Sequence, residues 1–149
     1  MLTCFFENNA KALRGFRHVT VGAIAVNKKQ QVLLIKRAKH LHNGGKYAIP
    51  GGFLDRNEDT KQAALRELKE ETGLKGEVDF LFKINDNPNR PKEDRQNVDF
   101  LYIVKILGGQ EKISPETSNI EWFNKETLPA EEEFAFDHRN IILEYLNTL

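Results

Sequence analysis

The chain of 149 residues predicts an α/β fold, with a mixed β-sheet sandwiched between helices. Two observations carry that reading. Short β-branched and aromatic runs recur along the whole chain, and two stretches of helical periodicity are interleaved with them instead of being segregated at one end. No internal repeat or low-complexity stretch interrupts the pattern.

Residues 19–26 and 31–37 read as two strands joined by a hairpin-like connection at Asn27-Lys28-Lys29. Residues 38–46 form a loop carrying His40, His42 and Gly44-Gly45, and residues 47–50 a short strand that ends in a tight turn at Gly51-Gly52. Asp59 with Gln62 three residues on is a capping box, Ala63, Ala64, Leu65 and Leu68 follow with good helix propensity, and Gly73 suits the left-handed position past the last turn. One helix over residues 60–72 follows. Residues 77–85 and 97–107 are the next strands, separated by a polar, proline-broken loop over residues 86–96. Residues 120–124 are a short strand and residues 139–146 an apolar-periodic helix. Residues 1–17 are expected to be an arm or short strand ahead of a single domain over residues 18–149, with Phe5, Phe6 and Phe16 needing burial.

Lys+Arg and Asp+Glu are 22 each, so no net field draws in nucleic acid or an anionic membrane. No apolar run reaches spanning length, and the first residues lack a charged region followed by an apolar one, which makes a cytoplasmic location the expectation. The single cysteine, Cys4, excludes an internal disulfide and a cysteine-rich zinc site.

At about 100° per residue, Glu67, Glu70 and Glu71 fall within an arc of about 100° on one side of the first helix. Ala64, Leu65 and Leu68 point to a neighbouring side that buries against the sheet. Like charges at such spacing cost roughly 0.2–0.5 kcal/mol per pair, and carboxylates near a helix C-terminus oppose its dipole. Arg66 can pair with Glu70, while Lys69 lies on the far side. Two or three carboxylates remain uncompensated, which favours a bound cation. Oxygen-only ligands select a hard ion, Mg²⁺ or Mn²⁺.

The same region carries a longer pattern. Glu58 follows Gly52 after five residues, Arg66 follows Glu58 after seven, and the run continues as Arg66-Glu67-Leu68-Lys69-Glu70-Glu71-Thr72-Gly73-Leu74. This resembles the Nudix box. Seven fixed letters at roughly 6% usage each give a chance match on the order of 10⁻⁹ to 10⁻⁸ per starting point. The resemblance implies an α/β/α sandwich and a metal-dependent hydrolase of nucleoside diphosphates linked to another moiety. It further implies that Glu67, Glu70 and Glu71, with the Gly52 carbonyl, are the metal ligands, that Arg66 orients them, and that Glu58 holds Arg66. The general base is either a box glutamate such as Glu70 or a loop glutamate, for which Glu116 is the matching candidate with Glu111 behind it.

The loop Asn87-Pro88-Asn89-Arg90-Pro91-Lys92-Glu93-Asp94-Arg95 is similar to the proline-containing loop of ADP-ribose pyrophosphatases, and Phe136-Asp137-His138 is similar to a run in that subfamily. Arg90 and Arg95 are thereby candidates to pair with a diphosphate or ribose-phosphate, and Arg37 to reach the phosphates or form a surface ion pair. Lys92 and Glu93 lengthen the loop, and Asn97 stands where a histidine is common in the subfamily. Asp137 also reads as a helix cap. Tyr47, Phe82, Tyr102 and Phe16 are candidates either for stacking on a base or for the core. The expected substrate is ADP-ribose or a related nucleotide-type small molecule. The alternatives are a house-cleaning pyrophosphatase for non-standard nucleoside triphosphates and a non-catalytic sensor of ADP-ribose-like ligands. Family members pair and donate loops across the interface, so a homodimer is the corresponding candidate assembly.

Overall fold

A computed structural model describes residues 17–93 and 96–149. The arm, with Cys4, Phe5, Phe6 and Phe16, lies outside the described residues, as does Arg95. In chain order the elements are β1 (His18–Val26), β2 (Val32–Arg37), β3 (Tyr47–Ala48), β4 (Gly51–Phe53), α1 (Thr60–Thr72), β5 (Leu74–Asn85), β6 (Asn97–Gly109), β7 (Thr117–Phe123) and α2 (His138–Leu146), with a 3₁₀ turn at Glu131–Glu133 before α2.

The strands form one seven-stranded sheet. Its main path runs β3-β2-β1-β6-β5, while β4 pairs with β1 and β7 with β2. The β1–β6 pair is parallel, from His18 opposite Asn97 to Val26 opposite Lys105, and the other pairs are antiparallel. The sheet is therefore mixed. Because successive side chains alternate between faces, β1 feeds two cores. Ile24 and Val26 join Leu101, Ile103 and the α2 residues Ile141, Ile142 and Tyr145. Val21, Ala23 and Ala25 join Tyr102, Val104 and the α1 residues Ala63, Ala64 and Leu68. One helix on each face makes the α/β/α sandwich.

The first helix starts and stops as its sequence dictates. Gln62 N–H donates to Asp59 Oδ1 at 2.8 Å, and Asp59 N–H donates to Gln62 Oε1 at 2.8 Å. Gly73 closes the helix at φ 74°, its N–H donating to the Lys69 carbonyl. Elsewhere the boundaries move. The strand expected from residue 77 begins at Leu74, directly after the cap, because Leu74 already pairs with Gly109.

Gly51 and Gly52 are not a turn. They form strand β4, antiparallel to Gly22 and Val21. Glycine is needed there for close approach, since a Cβ on Gly51 would lie 2.1 Å from the Val21 carbonyl oxygen and one on Gly52 2.5 Å from Glu67 Oε1. The segment from Tyr47 to Phe53 thus passes from pairing with β2 to pairing with β1. The aromatic candidates resolve as packing residues. Tyr47 meets the rings of Phe123 and Phe134, Phe82 meets Tyr145, and the Tyr102 hydroxyl lies 2.6 Å from Thr60 Oγ1.

Candidate active site

The close approach of β4 to β1 and of α1 to β4 sets the carboxylate side of α1 against two glycines at one end of a cleft of about 1020 Å³. Arg66 is the centre of this end. Its Nε and Nη2 donate to Glu58 Oε2 and Oε1 at 3.0 and 2.7 Å, a bidentate pair, and Nη2 also donates to the Phe53 carbonyl at 3.0 Å. Nη1 donates to Glu67 Oε1 at 2.7 Å and to Glu70 Oε2 at 3.2 Å. Glu58 accepts the Asp55 N–H at 2.8 Å as well, and its carboxyl is held below the usual range chiefly by the hydrogen bonds from Arg66. The arginine ties the loop before α1, strand β4 and two helix carboxylates to one point.

Glu71 is more deeply placed, at 5% exposure, and accepts the Gly51 N–H on Oε2 at 2.8 Å. Burial pushes its carboxyl up to about 8, the charges of Glu67 and Glu116 add to the rise, and Gly51 and Arg37 oppose it. Burial likewise raises Glu67, helped by Glu70 and Glu116 and opposed by Arg66. Glu116, exposed before β7, lines the cleft with Glu67, Glu70 and Glu71. Its backbone carbonyl accepts the Ala38 N–H at 2.8 Å, which fixes this loop to the end of β2. Glu111 is elsewhere, accepting the Trp122 indole N–H at 2.6 Å.

The donor set suits a hard divalent cation: oxygen ligands alone, with Glu67 and Glu71 disfavoured as anions chiefly by burial. As the side chains stand, no three of them close on a single point among the described residues. Arg66 takes Glu67 and Glu70, and the Gly51 N–H takes Glu71.

Another part of the cleft wall is built around Arg90, whose side chain is 3% exposed. Its Nε and Nη2 donate to Asp137 Oδ1 at 3.0 and 2.8 Å, and Nη1 lies 3.5 Å from both Asp99 Oδ2 and Glu93 Oε2. The guanidinium expected to pair with a diphosphate is instead committed to three carboxylates. Asp137 precedes α2 but makes no side-chain cap there. It accepts from Arg90 and, at 2.7 Å, from Asn85 Nδ2, which corrects the cap reading.

Among the described residues Arg37 likewise forms no surface ion pair. Its Nε donates to the His42 carbonyl at 2.9 Å, and its guanidinium sits 5.6 Å from the Phe136 ring, which Arg90 approaches at 5.8 Å. Phe136 holds φ 53°, a strained value for a bulky residue, and lines the cleft between the two arginines. His138 accepts the Ile49 N–H on Nδ1 at 3.0 Å. Burial, aided by the charge of Arg90, pushes it down to about 3, so it is neutral with its proton on Nε2.

Thr20, His42, Glu93, Asn97, Asp99, Phe136 and His138 also line the cleft without a site role assigned from sequence, although Phe136 and His138 belong to the run similar to ADP-ribose pyrophosphatases and Asn97 to the departures from it. A signal existed for two of them. Asn97 and Asp99 occupy the alternate positions of β6 that continue inward as Leu101 and Ile103, and polar residues at inward strand positions are the informative exceptions.

A model of the family described as "NUDIX domain" matches residues 16–145. The chain is 32% identical over 141 residues to the "ADP-ribose pyrophosphatase" of Methanocaldococcus jannaschii, covering 94% of this chain and 80% of that protein. It is 42% identical over 57 residues to the "8-oxo-dGTP diphosphatase" of Proteus vulgaris, a match spanning 38% of this chain and 50% of that protein. A solved NUDIX hydrolase from Nitrosomonas europaea superposes with a TM-score of 0.76 at 27% identity, covering 88% of this chain and 70% of that one.

Proposed function

The chain belongs to the Nudix family of phosphoric-anhydride hydrolases, and from that premise we propose that it cleaves the pyrophosphate of a nucleoside diphosphate linked to a second group, ADP-ribose foremost, with Mg²⁺ or Mn²⁺. The observation that carries the reading is the Arg66-anchored carboxylate set of α1 facing the β4 glycines at one end of a cleft large enough for a dinucleotide-sized ligand. The similarity over 94% of the chain to a protein named ADP-ribose pyrophosphatase supports the choice of substrate.

Glu67, Glu70 and Glu71, with the Gly52 carbonyl, would hold the cation, and a divalent ion there neutralises phosphate oxygens and acidifies water. Arg66 keeps Glu67 and Glu70 in place and is itself held by Glu58. Glu70 or Glu116, both exposed at the cleft, takes the proton of the attacking water. The water oxygen adds to phosphorus, the P–O bond of the bridge breaks, and the other monophosphate leaves. Arg37, held over Phe136 at the cleft wall, is placed to meet phosphate oxygens. Arg90 acts by holding that wall, and Arg95 is the remaining loop cation proposed for substrate.

Incubation with ADP-ribose and Mg²⁺ or Mn²⁺ should release AMP and ribose 5-phosphate, and EDTA should abolish it. Failure to cleave ADP-ribose or any other nucleoside diphosphate derivative would sink the proposal. The similarity to an 8-oxo-dGTP diphosphatase favours a second reading, a nucleoside triphosphate pyrophosphatase. That reading requires inorganic pyrophosphate as a product, which ADP-ribose cleavage never yields.

A further inference from the structure

On the α2 side of the sheet the parallel register sets Ile24 beside Ile103, Gly22 beside Leu101, Thr20 beside Asp99 and His18 beside Asn97. This face changes character along its length. Ile24, Leu101 and Ile103 are covered by α2, whereas Thr20, Asp99 and Asn97 line the cleft. Asn97 is 8% exposed, and its Oδ1 is buried with no hydrogen-bond partner among the described residues. Thr20 Oγ1 is in the same condition. It stands near enough to Asp99 to draw that carboxyl toward its charged form, without a hydrogen bond of acceptable geometry. Buried polar atoms in native proteins are nearly always satisfied, so two orphans on one cleft wall point to a ligand that satisfies them.

The chemistry of that ligand follows from its surroundings. Asn97 Oδ1 accepts only, and Thr20 Oγ1 can accept. Among the described residues the cation that lines the cleft beside them, Arg90, is already matched by Asp137, Asp99 and Glu93, while Arg17, which donates to the Asn97 carbonyl, is not part of the cleft lining. A phosphate has no place here, and a neutral group bearing O–H or N–H donors does. We propose that Thr20 and Asn97 form the subsite for the donor-rich neutral part of the substrate, either a sugar hydroxyl pair or a nucleobase amine, on the cleft wall made by β1 and β6. This rests on the reading of the cleft as a nucleoside diphosphate site.

The near-isosteric Thr20→Val and Asn97→Leu remove each acceptor. Each should raise the KM for ADP-ribose about tenfold, as expected for one lost neutral hydrogen bond, with kcat within about twofold. The free protein's Tm should hold or rise, because a buried orphan has gone. A merely structural role would lower Tm and kcat together. Two wild-type analogues separate the sources: hypoxanthine for adenine removes the amine, and a deoxyribose removes a hydroxyl. The analogue whose loss vanishes in Asn97→Leu or Thr20→Val identifies the bound group, and coupling to neither overturns the subsite. Unmoved KM in both variants of an active enzyme also overturns it while leaving the proposed activity standing. If the wild type cleaves no nucleoside diphosphate derivative, calorimetric titration with AMP and with ribose 5-phosphate still decides. Weaker binding of one of them by both variants supports the subsite, and equal binding of both refutes it.

Discussion

Two arginines organise two parts of the cleft wall, Arg66 facing four carboxylates and Arg90 three. Arg66 meets Asp55, Glu58, Glu67 and Glu70 and is about a quarter exposed, while Arg90 meets Asp137, Asp99 and Glu93 and is almost wholly buried. The partners of Arg66 come from one helix and the loop before it. Those of Arg90 come from its own loop, from β6 and from the residue before α2. Similar charge counts therefore do different work. At Arg66 the ion pairs leave Glu70 exposed at the cleft, with Glu71 and Glu116 outside them. At Arg90 they close a strut between elements distant in sequence, and the cost of burying the ions is offset by pairing. An arginine in a cleft is thus a poor indicator of phosphate binding until its partners are known.

The largest effect should come from unbalancing the α1 end. Glu71→Gln and Glu70→Gln are expected to lower kcat by about 10²–10⁴-fold with the fold intact by circular dichroism, consistent with loss of a metal ligand or base. Turnover within twofold of wild type in both would remove the carboxylates from the mechanism. Arg66→Lys keeps the charge and loses the bidentate fork. Its kcat should fall about 10–100-fold, the usual cost of disturbing the groups that orient metal ligands, with a higher Mg²⁺ concentration needed for half-maximal rate.

At Arg90 the expected loss is of stability. Asp137→Ala strips Arg90 of its best partner and should cost about 3–5 kcal/mol in urea unfolding. A loss below about 1 kcal/mol would mean that Asp99 and Glu93 suffice, and the strut would be redundant.

The smallest effect sharpens the same contrast through pH. His138, beside the strut, is pushed down to about 3 when folded, against 6.5 when free. Between those values the unfolded chain binds a proton that the folded chain refuses, so its contribution is lost as pH falls from 6.5 toward 3. His138→Asn keeps an acceptor for the Ile49 N–H. It should shrink the drop in Tm between pH 7 and pH 4.5, and an unchanged drop would place the acid sensitivity elsewhere.

The contrast also explains what could be read from sequence. The hydrogen-bonded carboxylates of Arg66 lie eight, one and four residues away, within one helix and its capping loop, so spacing alone brought them together. Asp137 lies 47 residues from Arg90, and no local period encodes that meeting. Its preference for helix starts pointed to a cap, and a buried guanidinium outcompeted the helix N-terminus for it. The glycines of β4 misled for a related reason. They looked like a turn, and the structure uses them for want of a side chain, to let β1 and α1 come close. The alternation in β1 and β6 gave the sheet and both cores, but strand order was not legible, because β1 pairs with a strand from the other half of the chain.

That parallel pairing has a consequence for how the protein comes into being. His18 meets Asn97 across most of the chain, and such distant contacts form slowly because the intervening loop must close before any contact rewards it. The helix with its carboxylates can form from local signals within microseconds, but the wall opposite it does not exist until β1 has found β6. During synthesis the half with the carboxylate helix would emerge first and wait, open to solvent, for the half that completes the cleft.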